Sequence, residues 1–339
     1  MKTVCFGEIM LRLNPEGYYR IRQASEFEAS YAGGEANVAV SLANYGLHAC
    51  YLTKLPCHEV GQSAVDALRK YGVDTGLILR GEGRLGIYFV EKGASQRASK
   101  IIYDRKNSAV SLSKPREYDW DRIFEDCAWF HFTGITPALS DSLAEICLDA
   151  CKEAKKRNIT ISCDLNYRKK LWSHDKAEEI MGKLMPYVDV CIANEEDAND
   201  VFGIKAPNTD VDSGVLNKEG YRYVASELAR RFGCSTVAIT LRTSLSASDN
   251  NWAGMIYQNG KDYYSKEYHI HIVDRVGGGD SFAGGLIYSL QNGYSPQETI
   301  EFAVAASCLK QTIEDDFNLV SVDEVKALIN GKGTGRVQR

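Results

Sequence analysis

The sequence predicts an α/β chain: a mostly parallel central sheet between two layers of helices, with a small β-sheet set against it as a lid. Three observations predict this. Short β-rich runs alternate with amphipathic stretches through most of the 339 residues, the rhythm of βαβ units and of a sheet covered on both faces. Residues 9–31 and 85–107 break that rhythm, with strand-like segments and polar turns and no helix of their own. The chain beyond residue 278 is mainly helical by its periodicity.

In chain order, the β-rich runs are 3–7, 49–55, 128–132, 159–164, 188–192 and 236–241. The amphipathic stretches between them are 34–45, 60–71, 139–157, 176–185 and 219–231. Parallel sheets of this kind bind ligands at the carboxyl ends of their strands. Ile87-Tyr88-Phe89-Val90 and Ile101-Ile102-Tyr103 are the clearest pieces of the small sheet. Two readings of it stand: a pair of decorative hairpins, or a lid that excludes water from a cleft. Helices are expected at 278–291, 296–311 and 322–330. No repeat or low-complexity linker divides the chain, so one domain over 1–339 is expected, with a surface loop at 205–215 and a flexible tail at 331–339.

Hydrophobic residues make up 44% and charged residues 25%, ordinary for a globular protein, and the net charge is −5. That balance lacks the basic footprint of a nucleic-acid binder, so an anionic ligand would be held by local positive groups. No leader-like stretch opens the sequence and no apolar run approaches the roughly 18 residues of a membrane span, so a cytoplasmic chain is expected. The ten cysteines are scattered and form no Cys-x-x-Cys pair. They read as buried thiols in a reducing compartment.

The most informative stretch is Asp274-Arg275-Val276-Gly277-Gly278-Gly279-Asp280-Ser281-Phe282. It follows the β-rich run 268–273 and opens a helical pattern carried by Phe282, Leu286, Ile287 and Leu290. Bare backbone at a strand-to-helix turn lets a ligand approach closely. The first helical amides then face it, and the helix dipole favours an anion there. Asp280 would stand beside that anion. It reads either as a helix cap or as the base that takes a hydroxyl proton during phosphoryl transfer. The dipole argues that it is ionised and a weak base. No Gly-x-x-x-x-Gly-Lys-Ser/Thr loop is present, and no Gly-x-Gly-x-x-Gly follows the first strand, which disfavours a dehydrogenase.

This stretch resembles the C-terminal signature of the ribokinase-like (PfkB) carbohydrate kinases, Asp-Thr-x-Gly-Ala-Gly-Asp-x-Phe. It matches at Asp274, Gly277, Gly279, Asp280 and Phe282, with Gly278 in the alanine position. Ala32-Gly33-Gly34-Glu35-Ala36-Asn37-Val38-Ala39 is similar to the family's N-terminal signature. The resemblance spans nearly the whole chain. It implies a three-layer αβα sandwich with a β-sheet lid, ATP and Mg²⁺ as co-substrate and ion, and Asp280 as catalytic base with Gly277, Gly278 and Gly279 as anion hole. In some relatives the residue at Asp274 helps hold a monovalent cation.

Which sugar is phosphorylated depends on where positive charge falls. Arg168, in Asp164-Leu165-Asn166-Tyr167-Arg168, follows the run 159–164, and Arg105, in Tyr103-Asp104-Arg105, ends the lid. Each reads as a fork, Arg168 for a carboxylate or a phosphate, or as a surface ion pair, Arg105 with Asp104 or Asp119. These motifs, with Thr240-Leu241-Arg242-Thr243-Ser244, resemble the 2-keto-3-deoxygluconate kinase branch. By that resemblance Gly34, Asn37, Tyr88, Tyr103, Arg105, Arg168 and Asp316 hold the sugar acid. Asn166, Asn194, Ser244, Gly277 and Gly279 line the nucleotide side. Two departures stand out. The family's Asn-x-x-Glu reads Asn194-Glu195-Glu196-Asp197, which implies either that Asn194 and Asp197 reach Mg²⁺ through water or that Glu196 takes over. Glu314-Asp315-Asp316 replaces Pro-Gly-Asp and makes a loop near the nucleotide acidic. The rivals are a fructokinase- or ribokinase-type enzyme and a silent sugar-acid sensor. Exposed lid edges imply a homo-oligomer built through the lid.

Overall fold

The computed structural model describes residues 1–194, 196–205 and 218–331. The tail expected at 331–339 lies outside them from residue 332, and the loop expected at 205–215 lies outside from residue 206.

The main sheet runs from Ala49–Leu52 through Lys2–Phe6, Cys127–Thr133, Thr160–Asp164, Val190–Ala193 and Thr236–Ser244 to Asp249–Gln258 and Lys261–Tyr264. The pairings from Ala49–Leu52 to Thr236–Ser244 are all parallel. Side chains alternate between its faces as the pleat requires. Val237, Ile239 and Leu241 enter one apolar cluster and Ala238 the other. The first cluster includes Leu143, Ile146 and Cys147 of the helix Asp141–Lys156, and the second includes Phe282, Leu286 and Ile300. The sheet is therefore sandwiched between two helical layers, as expected.

The expected lid region forms a second, separate sheet in the order Glu28–Ala32, Met10–Asn14, Gly86–Glu91, Lys100–Asp104. Its middle pairing is parallel and its outer pairings antiparallel.

Two expectations change, and one element is added. The run 49–55 divides into Ala49–Leu52 and Lys54–Pro56, which belong to different sheets. The far edge of the main sheet is antiparallel, through a hairpin that periodicity alone does not reveal. Asn259 and Gly260, at φ 52° and 77°, form the tight turn between Asp249–Gln258 and Lys261–Tyr264, and Asn-Gly is the dipeptide such turns favour. Of the ten thiols, all without disulfides, Cys57 is exposed and Cys127 half-buried.

Two helices set the site. Gly34–Asn44 and Gly278–Gln291 pack side by side, and Gly284 permits their approach: a Cβ there would lie 2.6 Å from that of Ser41. Phe282, one turn into the second helix, is fully buried, a contribution of about 1.5–3 kcal/mol that anchors the turn preceding it.

Candidate active site

Strand ends, lid and both helix N-termini enclose a cleft of about 430 Å³. Asp164 ends its parallel strand, Asn194 follows the next, and both line the cleft, where such sheets bind ligands.

At its floor, Gly277 adopts φ 81°, and a Cβ there would lie 2.2 Å from the Asp316 carbonyl oxygen, so only glycine fits. Gly278–Gln291 then begins, with Asp280 in its first turn and Gly34 of the facing helix beside it. Asn37 bridges the two helix starts. Its Nδ2 donates to Asp280 Oδ2 at 2.6 Å, and its Oδ1 accepts from the Gly33 N–H at 3.3 Å.

The basicity of Asp280 departs from the expectation drawn from the dipole. Burial pushes its carboxyl up to about 7; the Asn37 bond pulls it down, and Asp316 and Glu35 push it further up. Desolvation at the cleft floor outweighs the helix dipole, and the like charges of Asp316 and Glu35 add to it. Asp280 is thus a stronger base than predicted and is poised near neutral pH.

Lid residues Tyr88 and Tyr103 line the cleft. The buried Tyr88 hydroxyl has Asp316 beside it and makes no hydrogen bond of normal geometry. Arg105 also lines the cleft, but neither expected partner holds it. Its Nε donates to Glu8 Oε2 at 2.7 Å and its Nη2 contacts the same oxygen, while Asp104 is held by Arg84. Arg168 differs: its Nη1 donates to the Tyr167 carbonyl at 3.2 Å, and its guanidinium opens into the cleft.

Asn166, Asn194, Asp197 and the glycine turn line the same space, whereas Ser244, on the outer end of Thr236–Ser244, does not. The strand turns Thr240 and Arg242 to the cleft instead, and Arg275 stands near Arg242 with its Nε unpartnered. Asp197 Oδ1 accepts from the Tyr167 N–H at 3.0 Å and Oδ2 from the Asn194 N–H at 3.2 Å. The Asn194 amide oxygen accepts from the Glu196 and Asp197 N–H groups at 2.8 and 2.9 Å. Burial pushes the neighbouring Asp164 carboxyl well up, and Asp197 and Asp280 add to it.

One residue essential to this geometry has no signal in the motifs. Arg12 is fully buried on the lid strand Met10–Asn14. Nη1 reaches Asp316 Oδ1 and Nη2 reaches Asp274 Oδ2, each at 2.5 Å. Ser30 donates to Asp315 at 3.1 Å, and Lys92 pairs with Glu314. Each carboxylate of the acidic loop 314–316 therefore pairs with a residue of the small sheet or its flank. Asp274, a candidate ligand for a monovalent cation, is held by Arg12 and by the Val276 N–H at 3.1 Å.

The pfkB family carbohydrate kinase model matches residues 1–314. A 2-dehydro-3-deoxygalactonokinase of Haloferax volcanii is 34% identical over 98% of both chains. A 2-dehydro-3-deoxygluconokinase of Thermoproteus tenax is 30% identical over 93% of this chain and 90% of that one. The crystal structure of the Thermotoga maritima 2-dehydro-3-deoxygluconokinase is 50% identical over 98% of both chains, with a TM-score of 0.94. The glycine turn with its aspartate, the strand-end cleft and these end-to-end matches converge: the chain belongs to the pfkB family of carbohydrate kinases and is a phosphotransferase.

Proposed function

We propose that this kinase transfers the γ-phosphoryl group of ATP to the terminal hydroxyl of 2-keto-3-deoxygluconate (2-dehydro-3-deoxygluconate). The observation that carries the reading is one cleft holding both Asp280 and Arg168, a guanidinium with no ion-pair partner among the described residues. The sugar-acid kinases among its relatives support the substrate. Arg168 takes the carboxylate end, with Tyr88 and Tyr103 along the sugar. As the terminal oxygen bonds to the γ-phosphorus, its proton passes to the Asp280 carboxylate and the bond to the β-phosphate oxygen breaks, releasing ADP. Amides of Gly277 and Gly279 face the transferring charge, and most of the acceleration is positioning and preorganised dipoles.

Oxygen donors at the cleft suit Mg²⁺, a hard cation. Asp164, buried with its pKa pushed up beside Asp197 and Asp280, is the group whose cost a cation would offset. Asn194 and Asp197 have their oxygens on backbone amides and would act through water. Bound there, the ion neutralises phosphate charge. Arg242 and Arg275 are placed to meet the polyphosphate. A dimer through the lid edges, where Phe27 and Ile102 are exposed, is also our reading. Light scattering on the purified chain giving a monomer rejects it. A cytoplasmic setting fits ten free thiols.

Arg168→Ala tests the substrate. The KM for the keto acid should rise about tenfold to a hundredfold, the loss of one charge-assisted pair, with weak turnover of fructose or ribose unchanged. Faster turnover of a neutral sugar than of the acid by the wild type rejects the reading. The galactonate-derived acid is the second candidate, favoured by the Haloferax relative, and differs at one hydroxyl; comparing kcat/KM for the two acids decides.

A further inference from the structure

Behind the glycine turn lies a cation that the scheme above does not use. Lys310 ends the helix Pro296–Lys310 and is fully buried. Its ammonium donates to the carbonyl oxygen of Val276 and, at 3.2 Å, to that of Asp274. The same helix end grips the turn elsewhere. The Ser307 hydroxyl donates to the Gly278 carbonyl at 2.6 Å, and the Gln311 carbonyl accepts from the Val273 and Asp274 N–H groups at 2.9 and 3.2 Å.

A planar trans peptide points its C=O and N–H in opposite directions. With the Val276 carbonyl drawn back to Lys310 and the Gly278 carbonyl to Ser307, the N–H groups of Gly277 and Gly279 are aimed the other way. Both glycines line the cleft, and neither amide has a backbone acceptor among the described residues. A cation on a carbonyl oxygen also polarises that peptide and strengthens its N–H as a donor. Burying an ammonium is costly, and burial holds the pKa of Lys310 below the ordinary lysine range; Asp274, Asp316 and Asp280 oppose that shift, and an incoming polyphosphate would add to their pull.

We propose that Lys310 is a built-in cation for phosphoryl transfer: its ammonium holds and polarises the glycine turn from behind, so turnover needs no dissolved monovalent cation. The proposal rests on the kinase reading. Lys310 is a positioning residue; it acts through the Val276–Gly277 peptide and touches no substrate.

The test measures kcat of the full chain, with ATP and whichever acceptor it phosphorylates, in chlorides of potassium, ammonium, methylammonium, sodium and choline at one ionic strength. Wild-type kcat should vary by no more than about twofold, while Lys310→Ala in choline should lose about a hundredfold in kcat, the scale of one lost oxyanion donor, with acceptor KM little changed. Potassium, ammonium or methylammonium entering the vacated space should restore about tenfold or more of that loss. Lys310→Met, which keeps the stem and fills the space, should lose the same activity and not be rescued. The proposal is overturned if wild-type kcat climbs several-fold from choline to potassium. It is equally overturned if folded Lys310→Ala keeps wild-type kcat, or loses it beyond rescue by every cation. Should Lys310→Ala not fold, the wild-type series and Lys310→Met decide. A wild type that phosphorylates no acceptor removes the kinase reading itself, an outcome distinct from any of these.

Discussion

Asp280→Asn lowers kcat by about 10²- to 10⁴-fold, the usual share of a general base, while calorimetric affinity for the sugar acid stays close to wild type. The amide keeps the shape and the proximity to Asn37 but cannot take the proton. The wild-type pH profile carries the same information. Because burial raises the Asp280 carboxyl to about 7 in the free enzyme, the base form is scarce in acid, so kcat/KM should fall about tenfold per pH unit below that value and level off above it. Stability moves the other way. The folded pKa lies above the ordinary 3.8, so the folded state holds this proton more tightly than the unfolded chain. Stability from this group is complete below pH 3.8 and is lost as pH rises through about 7. The substituted amide has no charge to desolvate, so Asp280→Asn should unfold at a higher temperature than wild type at pH 8, and the two should converge near pH 4. Near-normal turnover by Asp280→Asn would remove the base assignment. A variant less stable than wild type at pH 8 would remove the desolvation argument.

Arg12→Met destabilises the fold by about 3–5 kcal/mol, read as a lower urea midpoint with unchanged slope. The guanidinium is fully buried between Asp274 and Asp316. Burial opposes its charge, but the two aspartates outweigh that and hold its pKa above the ordinary range. Without it, two buried carboxylates face each other unpaired, which costs more than the ion pair contributes. Arg12→Lys should fall between, because one ammonium cannot present the fork that spans both carboxylates. The lid also loses its tie to the loop carrying Asp316, so the KM for the sugar acid should rise with the loss of stability. A change below about 1 kcal/mol, typical of an exposed pair, would show that Arg12 is not the anchor.

The placement of Arg12 shows where sequence reasoning stops. Leu11-Arg12-Leu13 reads as an alternating strand with a polar residue facing water. Its partners lie 262 and 304 residues away, and no local pattern carries that distance. Lys310 reads as a last-turn cation complementing the helix dipole; only the packed turn behind it shows what its ammonium touches. Ser244 is close to Arg242 in the motif, yet it stands at the very end of the strand, past the part that the cleft covers. The edge hairpin is legible in the turn chemistry of Asn259-Gly260, a signal that hydrophobic periodicity passes over.

By itself the sequence determined what depends on neighbours along the chain. That includes the alternation of strands and helices, the bare-backbone turn into Gly278–Gln291, the acid in its first turn, and Arg168 after a strand end. Only the tertiary structure decided the pKa of Asp280, the commitment of Arg105 to Glu8, and the seating of Arg12 and Lys310. The physical reason is that periodicity and turn preference act over a few residues, whereas desolvation and ion pairing are set by whichever distant segments the fold closes around a charge.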